Sequence, residues 1–155
     1  MKRPRLKRPG SKPEMNASEG LNGRNGESRA QEGKSSRPKI LLIDDDPDQL
    51  TVFETLLHGS GFEVITAESA KVGARALKQT SVDIIICDIM MPEVSGGKFV
   101  RFIRKSPKHA NTPIIMITAG GRDFEMDALT NGADLFCDKG EAKKSLITQI
   151  RMLLS

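Results

Sequence analysis

From residue 38 onward two hydrophobic periods alternate along the chain. Short apolar runs, most of them rich in β-branched residues, fall at 39–43, 62–66, 83–87, 113–117 and 134–137. Runs of this length, bounded by polar or turn residues, read as strands. Between them, apolar positions recur at three- and four-residue spacing, which marks helices with one buried stripe. Asp46 and Pro47 open the first helix as N-cap and first helical residue. Leu50, Phe53, Leu56 and Leu57 lie on its inner face, and it stops near His58-Gly59. Ser69 caps a second helix that ends near Gln79. Gly96-Gly97 leads into a third with Phe99, Val100, Phe102 and Ile103. Residues 122–131 read as a fourth, closed by Asn131-Gly132. A fifth runs over 141–154, with Leu146, Ile147, Ile150, Leu153 and Leu154 inward. His58 falls at a helix C-terminus and His109 in a loop.

Five strands alternating with five helices predict an α/β fold: a doubly wound parallel sheet covered on both faces. In such sheets ligands bind beyond the carboxyl ends of the strands, where the winding reverses. The polar residues of this chain follow that rule. Asp44-Asp45-Asp46, Asp88, Thr118 and Lys139 fall just past the predicted ends of strands one, three, four and five.

Composition changes the picture at the N-terminus. Residues 1–37 hold ten Lys/Arg and four Asp/Glu, whereas the other 118 residues hold fourteen and sixteen. The net charge of +4 is therefore a property of the first segment. Its only larger apolar residues are Met1, Leu6, Met15 and Leu21, too few to offset the entropy of ordering it. The expected organisation is a disordered basic tail over 1–37 and one domain over 38–155. A solvated extension is the simplest reading of the tail, although its charge also suits anionic lipid, nucleic acid or an acidic partner. No apolar run approaches the roughly 18 residues of a membrane span, and no apolar signal-peptide region follows the basic start. Cys87 and Cys137 lie inside apolar strand runs and read as buried reduced thiols, which fits a cytoplasmic protein.

Two strands ending in acids can gather several carboxylates in one crevice. Carboxylates are hard oxygen donors suited to Mg²⁺. Without a cation they repel, and at least one pKa should rise. Asp46 is better placed as a helix cap than as a ligand.

The residues Ile43-Asp44-Asp45, Asp88-Ile89-Met90-Met91-Pro92, Gly96, Thr118-Ala119 and Lys139 stand in one strand–helix register. On these residues the segment 39–155 resembles the response-regulator receiver domain of two-component signalling. The resemblance implies a CheY-like sheet in the order 2-1-3-4-5. It implies Mg²⁺ held by Asp44, Asp45, Asp88 and the backbone carbonyl of Met90. Asp88 is then the nucleophile and phosphorylation site. Lys139, the Thr118 hydroxyl and the Ala119 backbone amide would take phosphate oxygens, since phosphoryl transfer needs positioning and charge neutralisation above all. Thr118 and Phe136 would form the switch. The implied partners are a sensor histidine kinase or phosphotransfer protein and a downstream protein target, docking around strands four and five and the last two helices. Nucleic acid is not expected on the folded domain. Such a protein turns over no substrate; it catalyses only its own phosphorylation and dephosphorylation. With one helix after strand five, the chain reads as a single-domain regulator.

Four positions bear on how this chain departs from the family pattern. Lys139 is followed by Gly140 where proline is usual, so a trans bond or a remodelled loop is expected. Phe136 stands where tyrosine is common, so its inward rotation would rest on packing alone. Met90 and Gly120 occupy the two positions that orient water for hydrolysis, and neither side chain holds water firmly, which predicts slow self-dephosphorylation. Two other functions share features of this pattern. A haloacid-dehalogenase-like enzyme would need an acid where Met90 stands. A degenerate receiver acting only as an interaction module would bind no Mg²⁺.

Overall fold

A computed structural model describes residues 37–155. The expectation of a disordered tail falls outside the described residues, apart from Arg37. Five strands alternate with five helices: β1 Lys39–Ile43, α1 Pro47–Gly59, β2 Glu63–Ala67, α2 Ala70–Gln79, β3 Ile84–Asp88, α3 Gly96–Arg104, β4 Ile114–Thr118, α4 Glu125–Thr130, β5 Leu135–Asp138 and α5 Ala142–Leu154. The strands are parallel and lie in the order β2-β1-β3-β4-β5, as the alternation and the resemblance imply.

The central strands have apolar side chains on both faces because helices cover both. Alternate residues divide between two cores. Ile40, Leu42, Ile84, Ile86 and Ile115 pack with Leu50, Phe53 and Leu57 of α1 and Leu146 and Ile150 of α5. Leu41, Ile43, Ile85, Ile114 and Met116 pack with Leu77 of α2, Phe99 and Ile103 of α3 and Ala128 of α4. Each fully buried Ile or Leu contributes about 1.5–3 kcal/mol by leaving water, so the sheet is a stiff platform for whatever its strand ends carry.

The helix starts follow from their caps. The Asp46 carboxylate accepts from the Asp48 N–H, and the Ser69 and Ser95 hydroxyls accept from Val72 N–H and Lys98 N–H. Four boundaries differ from expectation. β2 through β5 each end one residue later than their apolar runs; in β3, β4 and β5 the parallel ladder continues onto the first polar residue, Asp88, Thr118 and Asp138. The segment 122–131 divides into a 3₁₀ turn at Arg122–Phe124 and a short α4. Gly121, at φ 87°, starts that turn. α5 is likewise preceded by a 3₁₀ turn, Lys139–Glu141. His109 lies in a third turn, Pro107–His109, and is buried rather than looped out. Phe102 also departs from a simple inner stripe: it is 64% exposed, while Phe99, Val100 and Ile103 are buried. No helix among the described residues is long and apolar enough to cross a membrane.

Candidate functional site

The sheet winds in opposite directions on either side of β1 and β3, so their carboxyl ends open a crevice. Ile43 pairs with Cys87, which sets Asp44 and Asp88 side by side as the next residues. Asp45 follows directly. One carboxylate oxygen from each of Asp44, Asp45 and Asp88 falls within 4.8 Å of the others. Asp44 and Asp88 are buried and Asp45 is exposed, so the crevice has a dry floor and a wet mouth.

Lys139 closes the arrangement from β5. Its ammonium donates to Asp44 Oδ2 at 2.6 Å and to Asp88 Oδ2 at 3.5 Å. Asp44 is held from its other oxygen by the Asp46 N–H at 3.0 Å. Both Asp44 oxygens are thus engaged inside the protein. Asp88 accepts more weakly, from the Met90 N–H at 3.3 Å and from Lys139. The looser Asp88 and the exposed Asp45 have lone pairs to spare for a cation; Asp44 suits a supporting role.

One cation among three acids leaves the crevice short of positive charge. Burial, and then the charge of Asp44, push the Asp88 pKa up to about 6 against the pull of Lys139 and the Met90 N–H. Burial by itself would lower Lys139, but its hydrogen bond to Asp44 and the charge of Asp88 outweigh that and hold it above the usual lysine range. A hard divalent cation fits this donor set, because oxygen ligands are already converged and their repulsion is unrelieved.

Thr118 ends β4 beside the crevice, buried, with its hydroxyl accepting from the Gly120 N–H at 3.2 Å. Ala119 follows on the exposed loop, and the Met90 side chain is 58% exposed. Phe136 is already buried, on the strand residue paired with Met116. Cys87 and Cys137 are free and buried, and burial raises both thiol pKa values, so neither is a ready nucleophile.

Two residues matter here for reasons that motif matching did not expose. In the sequence Gly96 only marks the entry to a helix, but a Cβ there would run into the carbonyl oxygen of Asp88. The start of α3 therefore packs directly on the backbone that carries Asp88, and the Gly96 N–H donates to Ile89 O at 2.9 Å. Asp138 belongs to none of the motif residues. Its side chain accepts from the Gly140 N–H at 2.7 Å and caps the 3₁₀ turn that presents Lys139. The spacing Asp-Lys-Gly signals such a side-chain turn. The Lys139–Gly140 bond is trans.

The response regulator receiver domain family matches residues 40–151. The chain belongs to this family. Among curated relatives, the transcriptional regulatory protein CpxR of Klebsiella pneumoniae is 35% identical over 117 residues, which are 75% of this chain and 49% of that protein. The chain thus spans about half the length of such relatives. Among solved receiver structures, chemotaxis response regulator CheY4 of Vibrio cholerae is 25% identical with a TM-score of 0.70, covering 76% of this chain and 99% of that one. Response regulator TrrA of Thermotoga maritima, in complex with Mg²⁺-BeF, is 29% identical with a TM-score of 0.69, covering 76% and 99%. Receiver domains are phosphoacceptor switches that bind Mg²⁺ at an acidic pocket.

Proposed function

We propose that this chain accepts a phosphoryl group on Asp88 from a histidine kinase or phosphotransfer protein and signals by docking to a downstream protein. The observation that carries this reading is the convergence of Asp44, Asp45 and Asp88 with Lys139 only 3.5 Å from the Asp88 carboxylate. Asp45, Asp88 and the Met90 carbonyl would hold Mg²⁺, with Asp44 in support. When bound, the ion neutralises charge on the transferring phosphoryl group. The Mg²⁺-BeF complex of TrrA supports such a site.

An Asp88 oxygen attacks phosphorus while the bond to the donor's histidine nitrogen breaks. The product is an aspartyl phosphate. Lys139 needs only a small shift from Asp44 to reach a phosphate oxygen. The Thr118 hydroxyl accepts from Gly120 and keeps its own proton to donate. The Ala119 N–H is a second donor for the same group. Thr118 and Asp138 are paired across β4 and β5, so movement of Thr118 toward phosphate is felt where Phe136 packs. Exposed Met126 and Leu129 on α4 and Met152 on α5 offer apolar surface for the downstream protein on that side.

The test is incubation with acetyl phosphate and Mg²⁺. A hydroxylamine-sensitive adduct that disappears in Asp88→Asn is the expected result. No adduct, or one that persists in that variant, would remove phosphoacceptor function.

A further inference from the structure

Charge on the folded domain is strongly segregated. Residues 68–79 and 93–109 contain eight Lys/Arg against two Asp/Glu, while the rest of 38–155 contains six against fourteen. The basic stretches are α2, α3 and their flanks. Of their basic residues only Arg104 is turned in, donating to the Gly132, His109 and Thr112 carbonyls and to Asp134. The other seven, among them Lys71, Lys78, Lys98 and Lys108, are exposed.

Between α2 and α3 this basic surface encloses an apolar groove. Two cavities, of about 420 and 390 Å³, share Ala74 and Phe102 as common walls. Leu77 and Ile103 line the first, and Ala70, Val94 and Phe99 the second. Phe102 stands between them, 64% exposed, and nothing in the site chemistry uses it. Lysines line both cavities, Lys78 and Lys108 at one and Lys71 and Lys98 at the other, and they outnumber the single acid, Glu93, at the second. The Lys108 ammonium donates to Leu77 O at 3.2 Å, tying one end of the groove across the two helices.

We propose that this α2–α3 groove is a docking site for an acidic amphipathic helix of a partner protein, separate from the Asp88 crevice. Its length fits. Ala70 to Lys78 rises about 12 Å, close to the roughly 10 Å between the first and last of three anchors at i, i+4 and i+7. Two anchors would enter the cavities and one would lie on Phe102. Glutamates on the flanks of such a helix would meet the lysine rim. The charge selects against other occupants. The chain's own residues 1–37 carry ten basic and four acidic side chains and would be repelled. Single-stranded nucleic acid stacks its bases on several aromatic faces in succession, and this groove has one exposed aromatic between aliphatic walls. A membrane favours a protruding apolar surface over a concave one.

The test uses the full chain and a labelled helical peptide with Leu at i, i+4 and i+7 and Glu on its flanks, read by fluorescence anisotropy. Controls are the same peptide with Lys replacing Glu, oligo-dT and anionic phosphatidylserine vesicles. The Glu peptide should bind, more weakly as salt rises. Phe102→Ser, and separately Lys71→Glu with Lys98→Glu, should each weaken it at least about ten-fold. Val52→Ser, on α1, should leave the affinity within about two-fold. Phe102 is exposed, so unchanged melting and unchanged phosphoryl adduct at Asp88 establish that its variant is folded; the proposal and the Asp88 chemistry thus fail separately. No binding, binding indifferent to Phe102, or tighter binding of the Lys peptide would overturn the proposal. So would preference for oligo-dT or vesicles, or Phe102-dependent self-association in sedimentation, which would give the groove to a second copy.

Discussion

Asp88→Asn should make the metal-free domain more stable at neutral pH. In the folded protein the Asp88 carboxyl titrates at about 6 against an ordinary 3.8. Between those values the folded state holds a proton that the unfolded state has lost. The contribution of Asp88 is therefore fully favourable below about pH 4 and is lost as pH rises through 6. Two pKa units correspond to about 3 kcal/mol at most. The exposed Asp45 lies alongside, so water screens part of that, and about half is a sound expectation. Asparagine keeps the shape and the Met90 N–H contact while removing the charge. Lys139 keeps its 2.6 Å partner, Asp44. A gain of about 1.5 kcal/mol should raise the melting temperature by roughly 5 °C for a domain of this size. Thermal and urea melts of both proteins at pH 7.5 and pH 4, with EDTA, measure it. Mg²⁺ at pH 7.5 should then stabilise the wild type and do much less for the variant. Equal stability at pH 7.5, or a gap of the same size at pH 4, would refute the argument that unrelieved carboxylate repulsion sets the energetics of this crevice.

Three other outcomes follow from the same geometry. Lys139→Ala leaves the buried Asp44 without its cation and should cost about 2–3 kcal/mol in urea melts, slow acetyl-phosphate labelling, and tighten Mg²⁺ binding measured by titration calorimetry, since three uncompensated acids remain. Met90→Asn should shorten the lifetime of the Asp88 adduct several-fold in a mass-spectrometric decay; the exposed side chain leaves room for the change, whereas a Cβ at Gly120 would come within 2.5 Å of the Phe124 ring. Gly96→Ala should cost about 1–3 kcal/mol or more by overpacking against the Asp88 carbonyl, and labelling should fall even under conditions where circular dichroism reports a folded domain.

Much of this site was legible because strand ends and charge coincide. Apolar runs that stop on Asp44 and Asp88 fix two acids at the sheet's carboxyl edge whatever the loops do. Lys139 was placed by the same rule. What could not be read depended on through-space packing. Phe102 belongs to an apolar cluster in sequence, yet it lies off the line of Phe99, Val100 and Ile103 and faces out. His109 sits in a polar stretch, yet the turn built around Arg104 and the neighbouring carbonyls buries it. Burial, and then the charge of Lys108, lower its pKa. Gly96 reveals its role only when the Asp88 backbone is seen against it.

The glycine after Lys139 has a consequence for how such domains can be recombined. Here the lysine is aimed by a hydrogen bond from the Gly140 N–H to the Asp138 carboxylate. A proline at 140 has no N–H to give, so importing the commoner residue alone would strip the turn of its cap. Positions 138 and 140 therefore behave as a single inheritable unit. A chimera that exchanges them together can keep Lys139 over the crevice, and one that splits them cannot rely on it.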